Sequence, residues 1–130
     1  MAAETMDTSD ARRTMIDIQI AGRGVRDEGV LEALRIVPRE AFVAPGFEEF
    51  AYEDSPLPIG AGQTISQPYI VALMLEAAEL RPSDRVLEVG AGSGYAAALT
   101  SRVASRVYAI ERQESLIAPA RARLTRIHKH

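Results

Sequence analysis

One feature constrains the fold of this chain more than any other: a short β-prone segment runs directly into a cluster of glycines. Arg85–Val89 is mostly valine and leucine, and the sequence Gly-Ala-Gly-Ser-Gly follows at once at positions 90–94. Glycines let the backbone turn sharply between a strand and a helix, and they let a ligand approach main-chain N–H groups closely. The segment therefore predicts a strand, a ligand-binding turn and a helix in immediate succession.

The residues after this turn continue the alternation of helix and strand. The patterns predict a helix over Tyr95–Ser101, a second strand within Val103–Ile110 and a further helix over Glu114–Ile127. A strand–helix–strand unit with a crossover of this length implies parallel pairing and a right-handed connection. We therefore expect an α/β fold containing the first β-α-β-α of a doubly wound sheet. Two parallel strands do not make a finished sheet, so the pattern also predicts a truncated chain.

The first half of the chain predicts helices and loops. Apolar spacing predicts a short helix from Asp10 to Ala21, which Gly22 and Gly24 would end. A second helix is expected to begin with Asp27 as its cap and to stop at Pro38.

A loop-rich stretch and a longer helix lead to the glycine turn. One helical turn is predicted over Arg39–Val43, whereas Phe47–Gln67 holds Pro and Gly at four of seven successive positions and predicts a loop. Pro68 suits the first turn of the next helix. The residues expected on the inner face of that helix are Ile70, Leu73, Met74, Ala77 and Leu80.

Composition excludes several classes of function. The chain carries 18 acidic and 15 basic residues in 130, and its bases are scattered along predicted helices, which gives no electrostatic footprint for nucleic acid. The longest apolar run, Tyr69–Leu75, falls far short of the ~20 residues that a membrane span needs, so no membrane partner is expected. The absence of cysteine excludes disulfides and cysteine-zinc sites and favours the cytoplasm.

Two carboxylates beside the glycine turn indicate the kind of ligand. Glu111 ends the second strand, where a carboxylate can accept both ribose hydroxyls of an adenine nucleoside. Glu88 would repel a pyrophosphate but suits a ligand with an ammonium group and a sulfonium, and S-adenosylmethionine carries both. Gly92–Ala97 also matches the G-x-G-x-x-A fingerprint of dinucleotide sites. The residues thus favour S-adenosylmethionine, while an NAD-type ligand and a turn that binds nothing stay open.

Beyond this local pattern, the chain resembles the protein-L-isoaspartate O-methyltransferases, a family of class I S-adenosylmethionine-dependent enzymes. Glu88–Gly94 resembles their motif I, and Glu111 resembles their ribose-binding acid. The sequence Gly-Gln-Thr-Ile-Ser-Gln-Pro at positions 62–68 is far more specific than the glycine turn, and positions 37–43 and 51–60 are also similar. The likeness covers roughly residues 12–127 and corresponds to the N-terminal portion of the family's domain.

The resemblance implies repair of damaged proteins. Members of the family methylate the free α-carboxylate of isoaspartyl residues in proteins and peptides, and the ester then cyclises to a succinimide that reopens partly to aspartate. By resemblance, the catalytic residues are Ser66 and Thr64. The resemblance assigns cofactor binding to Gln63, Ile65, Val71, Glu88, Gly90, Gly92, Gly94 and Glu111.

The chemistry of this reaction suits a site without histidine. A carboxylate of pKa ~4 is already ionised at pH 7, so its methylation needs no general base. Hydroxyls on a rigid loop, donating hydrogen bonds to the carboxylate, are adequate for catalysis by positioning. His128 and His130 fit a disordered tail better than a metal site, and no metal is expected.

Several of these residues also fit a structural role. Ser66 could cap the helix that follows it, and Thr64 could hydrogen-bond only the loop backbone. Tyr95 fits helix packing better than catalysis. Glu53 and Asp54 fit a solvated pair or a turn.

The predicted organisation is a flexible tail over 1–9, a helical and substrate-loop segment over 10–67, and over 68–130 the first half of a Rossmann-like S-adenosylmethionine-binding domain. Because the family's domain continues through further strands, a second chain could complete the sheet. The alternative function is therefore a non-catalytic nucleoside-binding module or a partner-dependent half-domain.

Overall fold

A computed structural model describes residues 8–127. Of the predicted tail, residues 1–7 lie outside this range, whereas Thr8 and Ser9 begin the first helix. His128 and His130, which we assigned to a disordered end, also lie outside it. The helices are α1 (Thr8–Thr14), α2 (Glu28–Ile36), α3 (Pro68–Ala77), α4 (Tyr95–Ser101) and α5 (Glu114–Ile127), and the strands are β1 (Leu57–Gly60), β2 (Gln63–Ile65), β3 (Arg85–Val89) and β4 (Arg106–Ile110).

The N-terminal helix runs further than its sequence pattern predicted. Beyond α1 the chain continues through a π-helical turn, Met15–Ile20, and a 3-10 turn, Ala21–Arg23. Gly24 ends this segment in a left-handed conformation, as expected. Gly22 does not end it. A Cβ at Gly22 would lie 2.7 Å from the carbonyl oxygen of Asp17, so glycine is required there for close backbone approach.

The start and end of α2 match the prediction. The Asp27 carboxylate accepts a hydrogen bond from the Val30 N–H at 3.1 Å, which satisfies a donor that the helix leaves free at its first turn. The helix ends at Ile36, just before Pro38, and a single 3-10 turn follows over Arg39–Phe42.

Part of the predicted loop is a β-hairpin. Strands β1 and β2 pair antiparallel, with Leu57 opposite Ile65. The connecting residues Ala61 and Gly62 both have positive φ, 55° and 69°, which is typical of two-residue hairpin turns. Of the proline and glycine residues that predicted a loop, Pro58 and Gly60 lie in β1, a short strand whose one strand neighbour among the described residues is β2, so proline is tolerated there.

Strands β3 and β4 are parallel, as predicted, and residues 8–127 place no other strand beside them. One face of this sheet is uncovered. Leu87 is 62 % exposed and Val89 is 74 % exposed, and their partners across the ladder, Tyr108 and Ile110, are exposed as well. The two strands thus present four large apolar side chains on one face, since alternate residues of a strand share a face.

The predicted inner face of α3 was wrong. Ile70, Leu73 and Met74 are exposed, whereas Val71 and Ala72 are buried. Ala77 is exposed as well, and Leu80 lies beyond the end of the helix. The segment is apolar on nearly all sides, so its spacing does not indicate which side packs against the core.

The cap of α2 gives a direct test of how the N-terminal segment is stabilised. We expect Asp27→Ala to lower the free energy of unfolding by about 1 kcal/mol, because the Val30 N–H loses its acceptor. Asp27→Asn keeps an acceptor oxygen and serves as the control. Urea unfolding of the three proteins measures the effect, and equal stability of the Ala and Asn variants would contradict the cap.

Candidate functional site

The glycine turn is attached to the end of the neighbouring strand. The N–H groups of Gly90 and Ala91 both donate to the carbonyl oxygen of Ile110, at 2.8 and 3.0 Å. The three glycines of the turn all have positive φ, between 56° and 95°. This backbone path brings the carboxyl ends of β3 and β4 together, which is where ligands bind in open α/β sheets.

Glu111, the first residue after β4, holds the turn from the other side. One carboxylate oxygen accepts from the Gly92 N–H at 2.7 Å, and the other accepts from the Gln113 N–H at 2.7 Å. The hydrogen bonds from the Gln113 and Gly92 N–H groups keep the pKa of Glu111 below its usual value. Each oxygen retains a further lone pair, so the ionised carboxylate can accept two more hydrogen bonds.

Glu88 lies in the opposite electrostatic situation. Burial, and then repulsion from Glu111, raise the pKa of Glu88 to about 7. Its Oε1 atom is buried, and no group among the described residues donates a hydrogen bond to it. A buried acceptor of this kind would be satisfied by a cationic or hydroxyl donor from a ligand.

A single cleft brings most of the predicted site residues together. Its volume is about 90 Å³, well below the several hundred Å³ of a complete small-molecule site. The predicted site residues that line it are Thr64, Ile65, Ser66, Val71, Glu88, Gly90 and Gly92. Glu111 reaches this cleft only through its hydrogen bond to Gly92, whereas Gln63 is exposed outside it and Gly94 packs against α5.

A larger groove of about 770 Å³ lies between α4, β4 and α5. Its lining is mostly apolar, with Ala91 and Glu111 among the lining residues. Neither Glu88 nor the Ser66 segment lines this groove, and both line the smaller cleft.

The two hydroxyls predicted to be catalytic are available to a ligand. Ser66 and Thr64 are both exposed. The capping interpretation of Ser66 was wrong, because the N-cap position of α3 is Gln67 and no side chain caps this helix. The Ser66 hydroxyl therefore does not cap α3.

Tyr95 has a packing role, as expected. Its ring is buried with its centroid 5.7 Å from that of Phe42, and burial raises the pKa of its hydroxyl to about 12. Asp54 is more than a solvated residue: it forms an ion pair with Arg23 and accepts a hydrogen bond from Gln67 Nε2 at 2.6 Å.

Sequence reasoning missed Arg39. This side chain is 0 % exposed and donates to the carbonyl oxygens of Ala51 and Ser66. The signal was present, since Arg39 stands between Val37 and Phe42, two apolar residues that are buried. A charged residue in such a run is easily assigned to the surface, because arginine is rarely fully buried.

Residues 8–127 contain neither a cluster of metal-ligating side chains nor a helix that could span a membrane. No three residues among His, Asp and Glu lie close enough to hold a metal ion. No helix in this range is both long and apolar enough to cross a membrane.

Comparison with known proteins gives matches along most of the chain. The model of the family described as protein-L-isoaspartate(D-aspartate) O-methyltransferase matches residues 10–130. A protein-L-isoaspartate O-methyltransferase of Methylorubrum extorquens is 61 % identical over 118 residues, which are 91 % of this chain and 52 % of the relative. One from Pelobacter propionicus is 64 % identical over 113 residues, 87 % of this chain and 50 % of the relative. The chain thus spans about half the length of the curated relatives it matches.

Solved structures give the same picture. A protein-L-isoaspartate O-methyltransferase structure matches with a TM-score of 0.78 at 29 % identity, covering 92 % of this chain and 39 % of the other. A β-aspartate methyltransferase structure from Plasmodium falciparum, in complex with S-adenosyl-L-homocysteine, matches with a TM-score of 0.74 at 24 % identity, covering 92 % and 56 %. At that identity the second likeness concerns the fold alone. The α/β fold predicted from the sequence is confirmed.

The raised pKa of Glu88 predicts a dependence of stability on pH. The folded protein holds a proton on Glu88 up to about pH 7, whereas the unfolded chain loses it near the ordinary value of 4.5. The folded state therefore loses stability as the pH rises through this window. We expect Glu88→Gln to melt at a higher temperature than the unmodified protein at pH 8, with a difference that shrinks toward pH 4.5.

The matched control is Glu111→Gln, for which the sign reverses. The pKa of Glu111 is lowered, so its ionised carboxylate stabilises the fold at pH values above the ordinary pKa of a glutamate. This contribution is lost as the pH falls. Glu111→Gln should melt below the unmodified protein at pH 8. A Glu88→Gln variant that shows the same sign as Glu111→Gln would contradict the assignment of Glu88 as a buried, destabilising carboxylate.

Proposed function

This chain belongs to the protein-L-isoaspartate(D-aspartate) O-methyltransferase family, and from that premise we propose that it provides the methyl-donor site and the substrate loop for methylation of isoaspartyl residues. The observation that carries the proposal is the shared cleft, in which the glycine turn and Glu88 lie together with the hydroxyls of Thr64 and Ser66. A methyl donor bound at the glycine turn and a substrate carboxylate bound at Thr64 and Ser66 would meet in this cleft.

The cofactor we propose is S-adenosylmethionine, which supplies a methyl group on a sulfonium. The remaining lone pairs of Glu111 suit the two ribose hydroxyls, because its other interactions with Gly92 and Gln113 already fix its orientation. The unpartnered Oε1 of Glu88 suits the ammonium group, and the cationic ligand would favour the ionised form of this carboxylate. A pyrophosphate would meet Glu88 as a like charge, which argues against a dinucleotide.

The substrate we propose is the free α-carboxylate of an isoaspartyl residue in a protein or peptide. Such a carboxylate is ionised at neutral pH and needs no base to become nucleophilic. The exposed hydroxyls of Ser66 and Thr64 can donate hydrogen bonds to one of its oxygens and direct the other toward the methyl group. Catalysis would then come from positioning and from exclusion of water.

A second candidate function is a partner-dependent half-domain. It is supported by the exposed apolar face of the β3–β4 sheet, whose residues include Leu87 and Val89. A parallel strand from another chain could pair with a free edge of this two-stranded sheet. A second chain that supplies such strands, and the cytoplasmic location, stay predictions.

Cofactor binding tests the role of Glu111. We expect Glu111→Ala to weaken S-adenosylmethionine binding by roughly 1–3 kcal/mol, because ribose hydroxyls lose their acceptor. Titration calorimetry on the unmodified and variant chains measures this. Glu114→Ala, an exposed acid at the start of α5, is the control and should leave the affinity unchanged. Tighter binding of NAD than of S-adenosylmethionine would overturn the cofactor assignment.

Methyl transfer tests the role of Ser66. With S-adenosylmethionine and an isoaspartyl peptide, we expect Ser66→Ala to lower turnover while leaving cofactor affinity and the melting temperature nearly unchanged, since Ser66 is exposed and caps no helix. Ser66→Asp should abolish transfer, because a negative charge would face the substrate carboxylate. The control is Ser83→Ala, in an exposed turn outside the cleft.

The same assay separates the two candidate functions. Transfer to an isoaspartyl peptide, with none to the matching aspartyl peptide, supports the enzyme. Cofactor binding without transfer by this chain alone supports the half-domain. If Ser66→Asp transfers methyl groups at the normal rate, the substrate carboxylate is held elsewhere.

A further inference from the structure

Arg39 is buried in a way that stability alone does not explain. Its side chain is 0 % exposed, and the ion pairs among the described residues include no carboxylate partner for it. Burying a guanidinium without a counter-charge is costly, and an apolar side chain of similar volume often serves a core at least as well. The burial lowers the pKa of Arg39.

The contacts of Arg39 connect three segments that are distant in sequence. Its Nε donates to the Ala51 carbonyl oxygen at 2.6 Å, and its Nη2 donates to the Ser66 carbonyl oxygen at 2.8 Å. Its guanidinium carbon lies 5.0 Å from the centroid of the Tyr95 ring. Tyr95 is the first residue of α4, directly after the glycine turn. Arg39 thus touches both walls of the cleft.

The hydrogen bond to Ser66 bears on the direction of its side chain. A donor fixed at the Ser66 carbonyl oxygen restrains the peptide plane that follows this residue. The opposite side of the same segment is restrained by Asp54, which accepts from Gln67 Nε2. The peptide plane is thus held from inside and the next side chain from outside, which restrains the backbone that carries the Ser66 hydroxyl.

We propose that Arg39 is a positioning residue, whose buried guanidinium holds the Ser66 carbonyl oxygen and the Tyr95 ring in a fixed relation so that the Ser66 hydroxyl faces the methyl-donor site. This inference rests on the proposed function of Ser66. Arginine suits this role better than lysine, because the rigid guanidinium presents its donors in fixed directions while its charge lies over an aromatic ring.

The principal test is Arg39→Lys, which keeps the charge but loses the fork of donors. We expect kcat for methyl transfer to an isoaspartyl peptide to fall about 10- to 100-fold, as displacement of a positioned group does. The affinity for S-adenosylmethionine should stay within about twofold, because the hydrogen bonds of the Arg39 side chain go to Ala51 and Ser66 and not to the residues assigned to the cofactor. The control is Arg35→Lys, a half-exposed arginine on α2, which should leave kcat unchanged.

Amide hydrogen exchange provides a readout that needs no activity. In Arg39→Lys, exchange should accelerate at residues 63–67, while the amides of β3 and β4 keep their protection. Tyr95→Leu removes the ring under the guanidinium and should reproduce both the loss of kcat and the local acceleration. This second variant keeps the test valid if one substitution fails to fold.

Three results would overturn the role of Arg39: an unchanged kcat in a folded Arg39→Lys variant, a parallel loss of kcat, cofactor affinity and melting temperature, or unchanged exchange at residues 63–67. Failure of the proposed function is distinguishable, since it would appear as absence of cofactor binding and methyl transfer in the unmodified protein. In that case, amide hydrogen exchange at residues 63–67 would test by itself whether Arg39 restrains the Ser66 segment.

Discussion

The carbonyl oxygen of Ile110 is the acceptor on which the candidate site depends. Two consecutive N–H groups of the glycine turn, from Gly90 and Ala91, donate to it and join the end of β3 to the end of β4. This junction sets the position of everything that follows, because Glu111 is the next residue after Ile110 and reaches back to the Gly92 N–H. A turn with side chains on its glycines would be strained at these positive φ values.

The same junction gives two nearby glutamates opposite properties. Glu111 receives main-chain hydrogen bonds that favour its charged form, whereas Glu88 is buried beside it and is destabilised by the charge of its neighbour. The pKa of Glu111 falls and the pKa of Glu88 rises to about 7 for these reasons. A cationic ligand placed between them would be attracted to both. In the free protein, burial of the Glu88 charge lowers the stability of the fold, and a cationic ligand would reduce this loss.

The N-terminal segment supplies the other wall of the cleft, and polar side chains hold that wall in place. Arg39 and Asp54 hold the Ser66 segment from inside and outside, and both reach it through groups adjacent to the hydroxyl rather than through the hydroxyl itself. Local sequence did not indicate either contact. Each depends on residues more than ten positions away along the chain, and periodicity is a property of neighbouring residues only.

Four features could be predicted from the amino-acid sequence: the parallel β-α-β unit, the glycine turn, the cap at Asp27 and the family. These features are encoded locally, in short runs of residues whose backbone preferences and spacing decide the outcome. Three others could be read only from the folded chain: which face of α3 is buried, that the stretch around Pro58 forms a hairpin, and that Arg39 lies inside. These three depend on contacts between distant parts of the chain, because such contacts decide what surrounds a nearly all-apolar helix, a short strand or a lone charge.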